Sequence, residues 1–213
     1  MTQTSELSAR RMSHPPGNPS QWLIVLAASA GGIQAMRVIL AALPADLPAS
    51  IVLVQHRPPG GDVTLADLFA HGTRWPVRVA TQGERIHGGR VYLARADSHL
   101  TITPDPAFLY RDGTKINFLR SSANPLFASA ADVYGRHVIG IVLSGTGQDA
   151  TNGVQAVRAN GGIVIAQDQR TSAHWGMPGA AVASGAVDYV LPLEAIAPAI
   201  VELVRGLPVV KGA

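Results

Sequence analysis

Short apolar runs alternate with segments of helical periodicity along most of this chain. The run WLIVLAA (22–28) is followed by GIQAMRVILAAL (32–43), and SIVLVQ (50–55) is followed by DVTLADLFAHG (62–72). In each second segment the apolar residues recur every three or four positions, as on one face of a helix. Strands that alternate with such helices are typical of βαβ units and a parallel sheet. The pattern therefore predicts an α/β fold with a doubly wound, mostly parallel sheet flanked by helices.

The middle of the chain departs from this alternation. After WPVRVAT come three short strand-like runs, RVYLAR, HLTITPD and AFLYRDG, separated by only a few residues. Strands so close in sequence pair readily as antiparallel hairpins. We therefore predict an antiparallel hairpin section at one edge of the sheet. The alternation then resumes with a helix over 122–135, the strands HVIGIVL, GIVIAQ and VDYVL, and helices over TNGVQAVRAN, 178–184 and EAIAPAIVELVRG.

Composition divides the chain into one folded body and two short ends. Residues 1–20 are rich in Ser and Pro and predict a flexible N-terminal tail. Residues 21–206 predict one folded domain, and 207–213 a C-terminal tail. The chain has 213 residues, 47% of them hydrophobic, which is enough for a single domain with a substantial core.

Composition and charge also exclude several classes of function. The chain has no cysteine, which rules out disulfides, thiolate metal sites and cysteine nucleophiles. Its formal net charge is +3, but the arginines are scattered and no basic run with interleaved aromatics occurs, so we expect no nucleic-acid partner. No apolar run approaches the roughly 20 residues that span a bilayer, and the N-terminus lacks the apolar core of a signal peptide. We therefore expect a cytoplasmic protein without membrane insertion.

Three polar residues follow three of the buried strands. Ser29 follows WLIVLAA, His56 follows SIVLVQ, and Asp149 lies in the turn SGTGQD after HVIGIVL. Side chains beyond the carboxyl ends of neighbouring parallel strands converge on one crevice, and the strand after the first crossover is normally adjacent to the first strand. The pattern therefore indicates a hydrolytic triad, in which Ser29 attacks, His56 accepts its proton and Asp149 accepts the Nδ1–H of His56.

The turn AASAGG around Ser29 suits a nucleophile, because small neighbours let its Oγ stand clear of the sheet. The amides that open the next helix, from Ala30 onward, carry the positive end of the helix dipole and suit a developing oxyanion. Two alternatives stay open: Ser29 and Asp149 are also favoured helix N-caps. A dinucleotide-binding loop is disfavoured, because His56 stands where that motif needs an acidic residue.

These motifs resemble those of the catalytic domain of CheB-type chemotaxis protein-glutamate methylesterases. The family's serine turn, Gln-His-x-Pro-Pro-Gly segment, Thr-Gly-x-Gly-x-Asp turn and Gly-Met-Pro segment look like AASAGG, QHRPPG, SGTGQD and Gly176–Pro178 here, in the same order. The resemblance runs from Trp22 to Val204. It implies that 21–206 is a methylesterase catalytic domain, and that the backbone amide of Thr146 joins that of Ala30 in an oxyanion hole.

The resemblance also implies a reaction and a partner. It implies hydrolysis of glutamyl γ-methyl esters on the cytoplasmic domain of methyl-accepting chemoreceptors, with release of methanol, and in some members deamidation of glutamines. Neither reaction needs a metal or an organic cofactor. An alternative of a different class is a non-catalytic or altered-specificity member that binds receptor-like helical proteins.

The chain departs from the family pattern in three places. Ala27 and Ala150 replace glycines of the serine and aspartate turns. The family's His-Arg-Pro-Ser-Val-Asp segment reads FLRSSAN (118–124), which keeps Arg-Ser and loses the histidine, the proline and the acid. The roughly 20 residues before the domain are too few for the family's receiver domain, which needs on the order of 100. We therefore expect open access to the site, or control by a separate regulatory protein.

Three further residues are predicted to line the mouth of the site: Arg57, Arg120 and Met177. Each has ordinary loop packing as its alternative. Arg57 directly follows His56, and a cation there would attract the acidic surface of a receptor bundle.

Overall fold

A computed structural model describes residues 21–111 and 121–209 of the chain. The predicted tail 1–20, residues 112–120 including Arg120, and residues 210–213 lie outside the described residues. The strands are β1 (Trp22–Ala28), β2 (Ala49–Gln55), β3 (Val77–Val79), β4 (Val91–Leu93), β5 (His99–Ile102), β6 (Phe108–Arg111), β7 (Val138–Val142), β8 (Ile163–Gln167) and β9 (Tyr189–Leu191). The α-helices are α1 (Gly32–Ala42), α2 (Asp62–Ala70), α3 (Asn124–Tyr134), α4 (Thr151–Ala159), α5 (Gly176–Ala183) and α6 (Leu193–Val204).

Seven strands form one parallel sheet in the order β3-β4-β2-β1-β7-β8-β9. The central strand β1 pairs with β2 on one side and β7 on the other, with Ala28 opposite Gln55 and Ala27 opposite Val142. All of β2 and β7 is buried, as expected for strands covered on both faces. The predicted doubly wound parallel sheet is confirmed.

Alternate residues of β1 face two separate cores, because side chains alternate across a strand. Ile24 and Leu26 pack with α1, α2 and α6, whereas Leu23 and Val25 pack with α3, α4 and α5. The helices therefore cover both faces of the sheet and leave its carboxyl edge to the turns that follow the strands.

The hairpin section differs from the prediction in its extent and place. β4 lies inside the main sheet, parallel to β2 and β3, because its three residues are fully buried and suit an interior strand. Among the strands of the described residues, only β5 and β6 pair antiparallel, as a separate two-stranded sheet. This pair packs beside α3 rather than extending an edge of the main sheet.

Three turns at the carboxyl edge share one backbone conformation. The residues that precede α1, α2 and α4 all have positive φ: Gly31 (80°), Gly61 (66°) and Ala150 (73°). This left-handed conformation reverses the chain sharply between strand and helix. It brings the residues after β1, β2 and β7 to one rim. Of the helices in the described ranges, none is long and apolar enough to cross a membrane.

Candidate active site

His56 and Asp149 meet above the carboxyl edge of the sheet. His56 Nε2 lies 2.8 Å from Asp149 Oδ2, and the two side chains are 7% and 1% exposed. β1 lies between β2 and β7, so Ser29 follows the strand between those that precede His56 and Asp149. The His56 amide donates to the Ala28 carbonyl at 2.9 Å, and the Ser29 amide donates to the Ser144 carbonyl at 3.0 Å. The three predicted residues therefore share one rim.

The nitrogen that faces Asp149 is Nε2, so the prediction of an Nδ1 contact is wrong. Neither residue lies within a strand, since β2 ends at Gln55 and β7 at Val142, so the paths of the two turns, and not strand order, decide which ring nitrogen faces the carboxylate. When Nε2–H donates to the carboxylate, the neutral ring keeps its lone pair on Nδ1. Nδ1 accepts no hydrogen bond from the described part of the chain.

Four donors saturate the Asp149 carboxylate. Oδ2 accepts from His56 and from the Ala123 amide at 2.6 Å. Oδ1 accepts from the Ser122 hydroxyl at 2.5 Å and from Asn124 Nδ2 at 2.9 Å. Three of these donors come from one segment at the start of α3, which therefore holds both oxygens of the carboxylate.

These bonds decide the ionisation of Asp149. Burial alone would raise the pKa of the carboxyl, but the hydrogen bonds from His56, the Ala123 amide and Ser122, together with the charge of protonated His56, outweigh it and hold the pKa below its ordinary value. Asp149 is thus a carboxylate at neutral pH and acts as an acceptor of its four bonds.

The turn around Ser29 is held by its backbone and leaves its hydroxyl unbound. Ser144 Oγ donates to the Ala30 carbonyl at 2.8 Å, and the Gly32 amide donates to the Ser29 carbonyl at 2.9 Å. Ser29 is half-buried, and its Oγ forms no hydrogen bond with any described residue. A serine hydroxyl turns freely about one bond, and contacts of this kind often tighten only when substrate binds.

The capping alternatives for Ser29 and Asp149 are both wrong. The N-cap residues of α1 and α4 are Gly31 and Ala150, and neither helix receives a hydrogen bond from a capping side chain. The left-handed turn leaves Ser29 two positions and Asp149 one position before the N-cap residue, away from the amides that each would cap.

Two backbone amides near Ser29 have no hydrogen-bond partner in the described part of the chain. Ala30 and Thr146 are exposed, and within residues 21–111 and 121–209 neither amide donates a hydrogen bond. Ala30 follows Ser29 directly, and Thr146 lies in the turn whose Ser144 carbonyl binds the Ser29 amide. Free amides on both sides of a serine have the donor chemistry of an oxyanion hole.

The three residues predicted to line the mouth of the site differ in their surroundings. The Arg57 guanidinium forms an ion pair with Asp62 and donates to the Gly60 carbonyl, so its charge is largely neutralised inside its own loop. Met177 is fully buried, and its sulfur occupies the space where a Cβ on Gly145 would lie. It therefore packs beneath the serine turn, and its prediction as a mouth residue is wrong. Arg120 lies outside the described residues.

Sequence reasoning missed the residues that hold the acid. Ser122 and Asn124 entered only as part of a segment that differs from the family pattern, yet they bind Asp149 directly. The Ser122 amide in turn donates to Nδ1 of the buried His99 at 3.1 Å. Polar residues just before a helix are read as caps or turns from sequence, so no local signal distinguishes this use. In the part of the chain that the structure describes, no three His, Cys, Asp or Glu side chains cluster to hold a metal ion.

A parallel α/β sheet that carries a histidine–aspartate pair beside a serine turn has the architecture of a serine hydrolase. A family model described as CheB methylesterase matches residues 24–200. The chain belongs to the CheB methylesterase family.

Individual relatives agree with this assignment. Protein-glutamate methylesterase/protein-glutamine glutaminase of Pyrococcus horikoshii is 38% identical over 197 residues, which cover 90% of this chain and 54% of the relative. The corresponding protein 2 of Caulobacter vibrioides is 39% identical over 199 residues, 92% of this chain and 57% of the relative. This chain thus spans about half the length of these two relatives.

A solved structure matches at domain level. The crystal structure of the Thermotoga maritima CheB methylesterase catalytic domain superposes with a TM-score of 0.82 at 35% identity, covering 86% of this chain and 98% of that one. The fold described above is therefore that of a CheB catalytic domain.

Proposed function

We propose that this chain hydrolyses γ-methyl esters of glutamyl residues on the cytoplasmic domain of chemoreceptors, releasing methanol and restoring the carboxylate. The names of the two relatives, protein-glutamate methylesterase/protein-glutamine glutaminase, support the ester substrate and extend the proposal to glutamine side chains. Both reactions transfer an acyl group to water.

In the proposed first half-reaction, Ser29 Oγ attacks the ester carbonyl carbon and His56 Nδ1 takes the hydroxyl proton. Asp149 stabilises the resulting imidazolium through its bond to Nε2. The Ala30 and Thr146 amides bind the oxyanion of the tetrahedral intermediate. The bond to the methoxy oxygen then breaks, and His56 returns the proton so that methanol leaves.

In the second half-reaction water attacks the acyl group on Ser29. His56 removes a proton from the water, the bond between the acyl carbon and Oγ breaks, and Oγ regains the proton. The product is a glutamate carboxylate and free enzyme. A glutamine follows the same steps with ammonia as the leaving group.

The observation that carries the proposal is the His56–Asp149 contact. This contact with an ionised acid favours the tautomer that carries its proton on Nε2, and His56 follows the strand paired with the one before Ser29, which supports its proposed role as the base. A buried carboxylate saturated by four donors is an expensive arrangement, and orienting a catalytic histidine is its best-supported use.

The test is methanol release from methylated receptor fragments by the native protein and by Ser29→Ala. Loss of a triad serine lowers kcat by roughly 10⁶-fold in comparable enzymes, so we expect no release above background. Ser184→Ala is the matched control, because Ser184 bonds the Ala181 carbonyl near the end of α5, and it should release methanol at the native rate. Equal release by native protein and Ser29→Ala contradicts the mechanism. Receptor binding without release by the native protein would instead indicate a binding module.

A further inference from the structure

A single buried amide joins the serine turn to the histidine turn. Gln55 is the last residue of β2 and is 5% exposed. Its Nε2 donates to the Ser29 carbonyl at 2.8 Å and to the His56 carbonyl at 3.0 Å. The two carbonyls belong to the nucleophile and the base of the proposed reaction. One planar group thus fixes the peptide units of both residues relative to each other.

The two bonds of Gln55 lie where the hydrogen-bond ladder between β1 and β2 ends. The ladder between β1 and β2 ends at the pair Ala28 and Gln55, and beyond it both chains turn away toward their helices. Past this pair, the one further backbone bond between the two segments within the described residues runs from the His56 amide to the Ala28 carbonyl. The Gln55 amide adds two bonds at this point, and without them we expect the gap between Ser29 Oγ and His56 Nδ1 to vary more.

A side-chain amide suits the chemistry of the tie. Both partners are carbonyl oxygens, which accept hydrogen bonds, and a side-chain amide nitrogen supplies two donors in one plane. A carboxylate of the same shape has no donor. Gln55 Oε1 is buried and has no hydrogen-bond partner among the described residues, which is an unfavourable state for an acceptor. Retaining glutamine despite that cost indicates that the two donors matter.

The neighbouring sequence makes room for this side chain. A Cβ on Gly32 would lie 2.8 Å from Gln55 Oε1 and 2.2 Å from the Ala28 Cβ. Glycine at position 32 is therefore needed for α1 to begin directly above Gln55. The serine turn and the glutamine are fitted to each other.

We propose that Gln55 is a positioning residue that sets the distance between Ser29 and His56. The proposal rests on the function proposed above, because it assigns Gln55 to the same reaction. Gln55 lies beneath the turns and does not reach substrate, so it acts through the two residues that it joins.

The chain offers a matched control at the other end of the same two strands. Gln21 precedes β1, and its Nε2 donates to the hydroxyl of Ser50 in β2 at 2.7 Å. Gln21 and Gln55 thus tie the same pair of strands at opposite edges of the sheet. Gln55→Met and Gln21→Met each remove such a tie with an apolar side chain of similar length. Gln55→Glu keeps the shape and replaces the donors with a carboxylate.

The first readout is turnover of methylated receptor by folded protein. We expect Gln55→Met to lower kcat by up to about 100-fold, the loss that a misplacement of about 1 Å causes, with KM unchanged. Gln21→Met should keep the native kcat. Labelling by a serine-directed phosphonate should slow in parallel with kcat. Equal kcat values for Gln55→Met and Gln21→Met would overturn the proposal.

The second readout is the activity of Gln55→Glu relative to the native protein, measured as a function of pH. Gln55→Glu should be less active than Gln55→Met at neutral pH, because a carboxylate repels the two carbonyl oxygens. As the pH falls, the buried carboxylate binds a proton and donates to one of them, so the activity of Gln55→Glu relative to native should rise. A constant ratio across pH contradicts the role of the donors.

A third readout does not depend on activity. The His56 Nε2 proton, donated to a carboxylate, should give a low-field proton resonance. We expect this signal to shift or broaden in Gln55→Met and to stay unchanged in Gln21→Met.

If the native protein releases no methanol, the proposed function fails while this signal still decides the role of Gln55. If the native protein is active and the Gln55 variants match it in kcat and signal, the inference alone fails.

Discussion

The turns after β1 and β7 begin alike and end differently. Each follows a buried strand and leads into a helix through a residue with positive φ, Gly31 in one and Ala150 in the other. In the β7 turn, the Asp149 side chain is 1% exposed and accepts four hydrogen bonds. In the β1 turn, Ser29 is half-buried and its hydroxyl bonds to no described residue.

This difference suits the roles that we propose for the two groups. An ionised carboxylate can be buried only when donors replace its lost hydration, and a saturated acid holds its histidine in one orientation. A nucleophile must keep a lone pair for substrate, and its neighbouring amides must stay free for the oxyanion. The same left-handed backbone conformation therefore occurs in two kinds of turn. We call the turn after β7 closed, because the Asp149 side chain is buried and fully hydrogen-bonded, and the turn after β1 open, because the Ser29 hydroxyl bonds to no described residue.

The largest expected effect comes from breaking the closed turn. Asp149→Asn should lower kcat by about 10⁴-fold, because an amide nitrogen facing His56 Nε2 favours the wrong tautomer, while KM changes little. Asp188→Asn is the matched control: Asp188 accepts from the Val164 amide at 2.9 Å at the opposite edge of the sheet. Steady-state kinetics on both variants test this, and a loss in Asp149→Asn no greater than in Asp188→Asn contradicts the assigned role.

The open turn should break with an added methyl group. A Cβ on Gly31 would lie 2.7 Å from Ser144 Oγ and 2.8 Å from the Ala173 Cβ, and φ is 80°. We expect Gly31→Ala to lower the free energy of unfolding by at least about 2 kcal/mol and to reduce activity. Gly185→Ala has a similar φ of 75° with open space around it. Denaturant unfolding of both variants separates the cost of the steric clash from the cost of a side chain at positive φ. Equal losses of unfolding free energy in the two variants would show that the clash contributes nothing.

Lowering the pH should reduce the contribution of Asp149 to the free energy of unfolding. The pKa of Asp149 is lowered in the folded state, so its contribution to stability is complete above the unfolded pKa of about 3.9. That contribution is lost as pH falls through the folded pKa. The difference in unfolding free energy between native protein and Asp149→Asn should therefore narrow from pH 5 to pH 2. A difference independent of pH would show that the carboxylate is not held ionised.

The smallest expected effect is a relief of strain in the closed turn. Ala150 has φ 73° and is fully buried. Replacing it with glycine removes a backbone cost of about 1 kcal/mol and loses a buried methyl group worth about 0.8 kcal/mol. We expect Ala150→Gly to leave the unfolding free energy within about 0.5 kcal/mol of native. Thermal or denaturant unfolding measures this, and a loss above about 2 kcal/mol would mean that the methyl packs more tightly than its neighbours indicate.

Sequence alone predicted the features that depend on strand order. Ser29, His56 and Asp149 each follow a strand that is buried along all or nearly all of its length, and parallel strands bring such residues to one edge whatever their separation in sequence. The strand β4 was placed wrongly because a short strand of three buried residues fits a hairpin and an interior position in a parallel sheet equally well. Only its packing against distant segments decides between the two positions. The ring nitrogen facing Asp149 and the burial of Met177 depend on side-chain geometry that spacing does not encode. Ser122 and Asn124 were missed for a related reason, since their partner lies 25 or more residues away.

The central claim is that Ser29, His56 and the two free amides act on one carbonyl group, and a crystal structure after reaction with a serine-directed phosphonate tests it most directly. We expect phosphorus bonded to Ser29 Oγ, with the phosphonyl oxygen within hydrogen-bonding distance of the Ala30 and Thr146 amides and His56 Nδ1 facing Oγ. An adduct on another serine, or an adduct on Ser29 whose phosphonyl oxygen points away from both amides, would contradict the account.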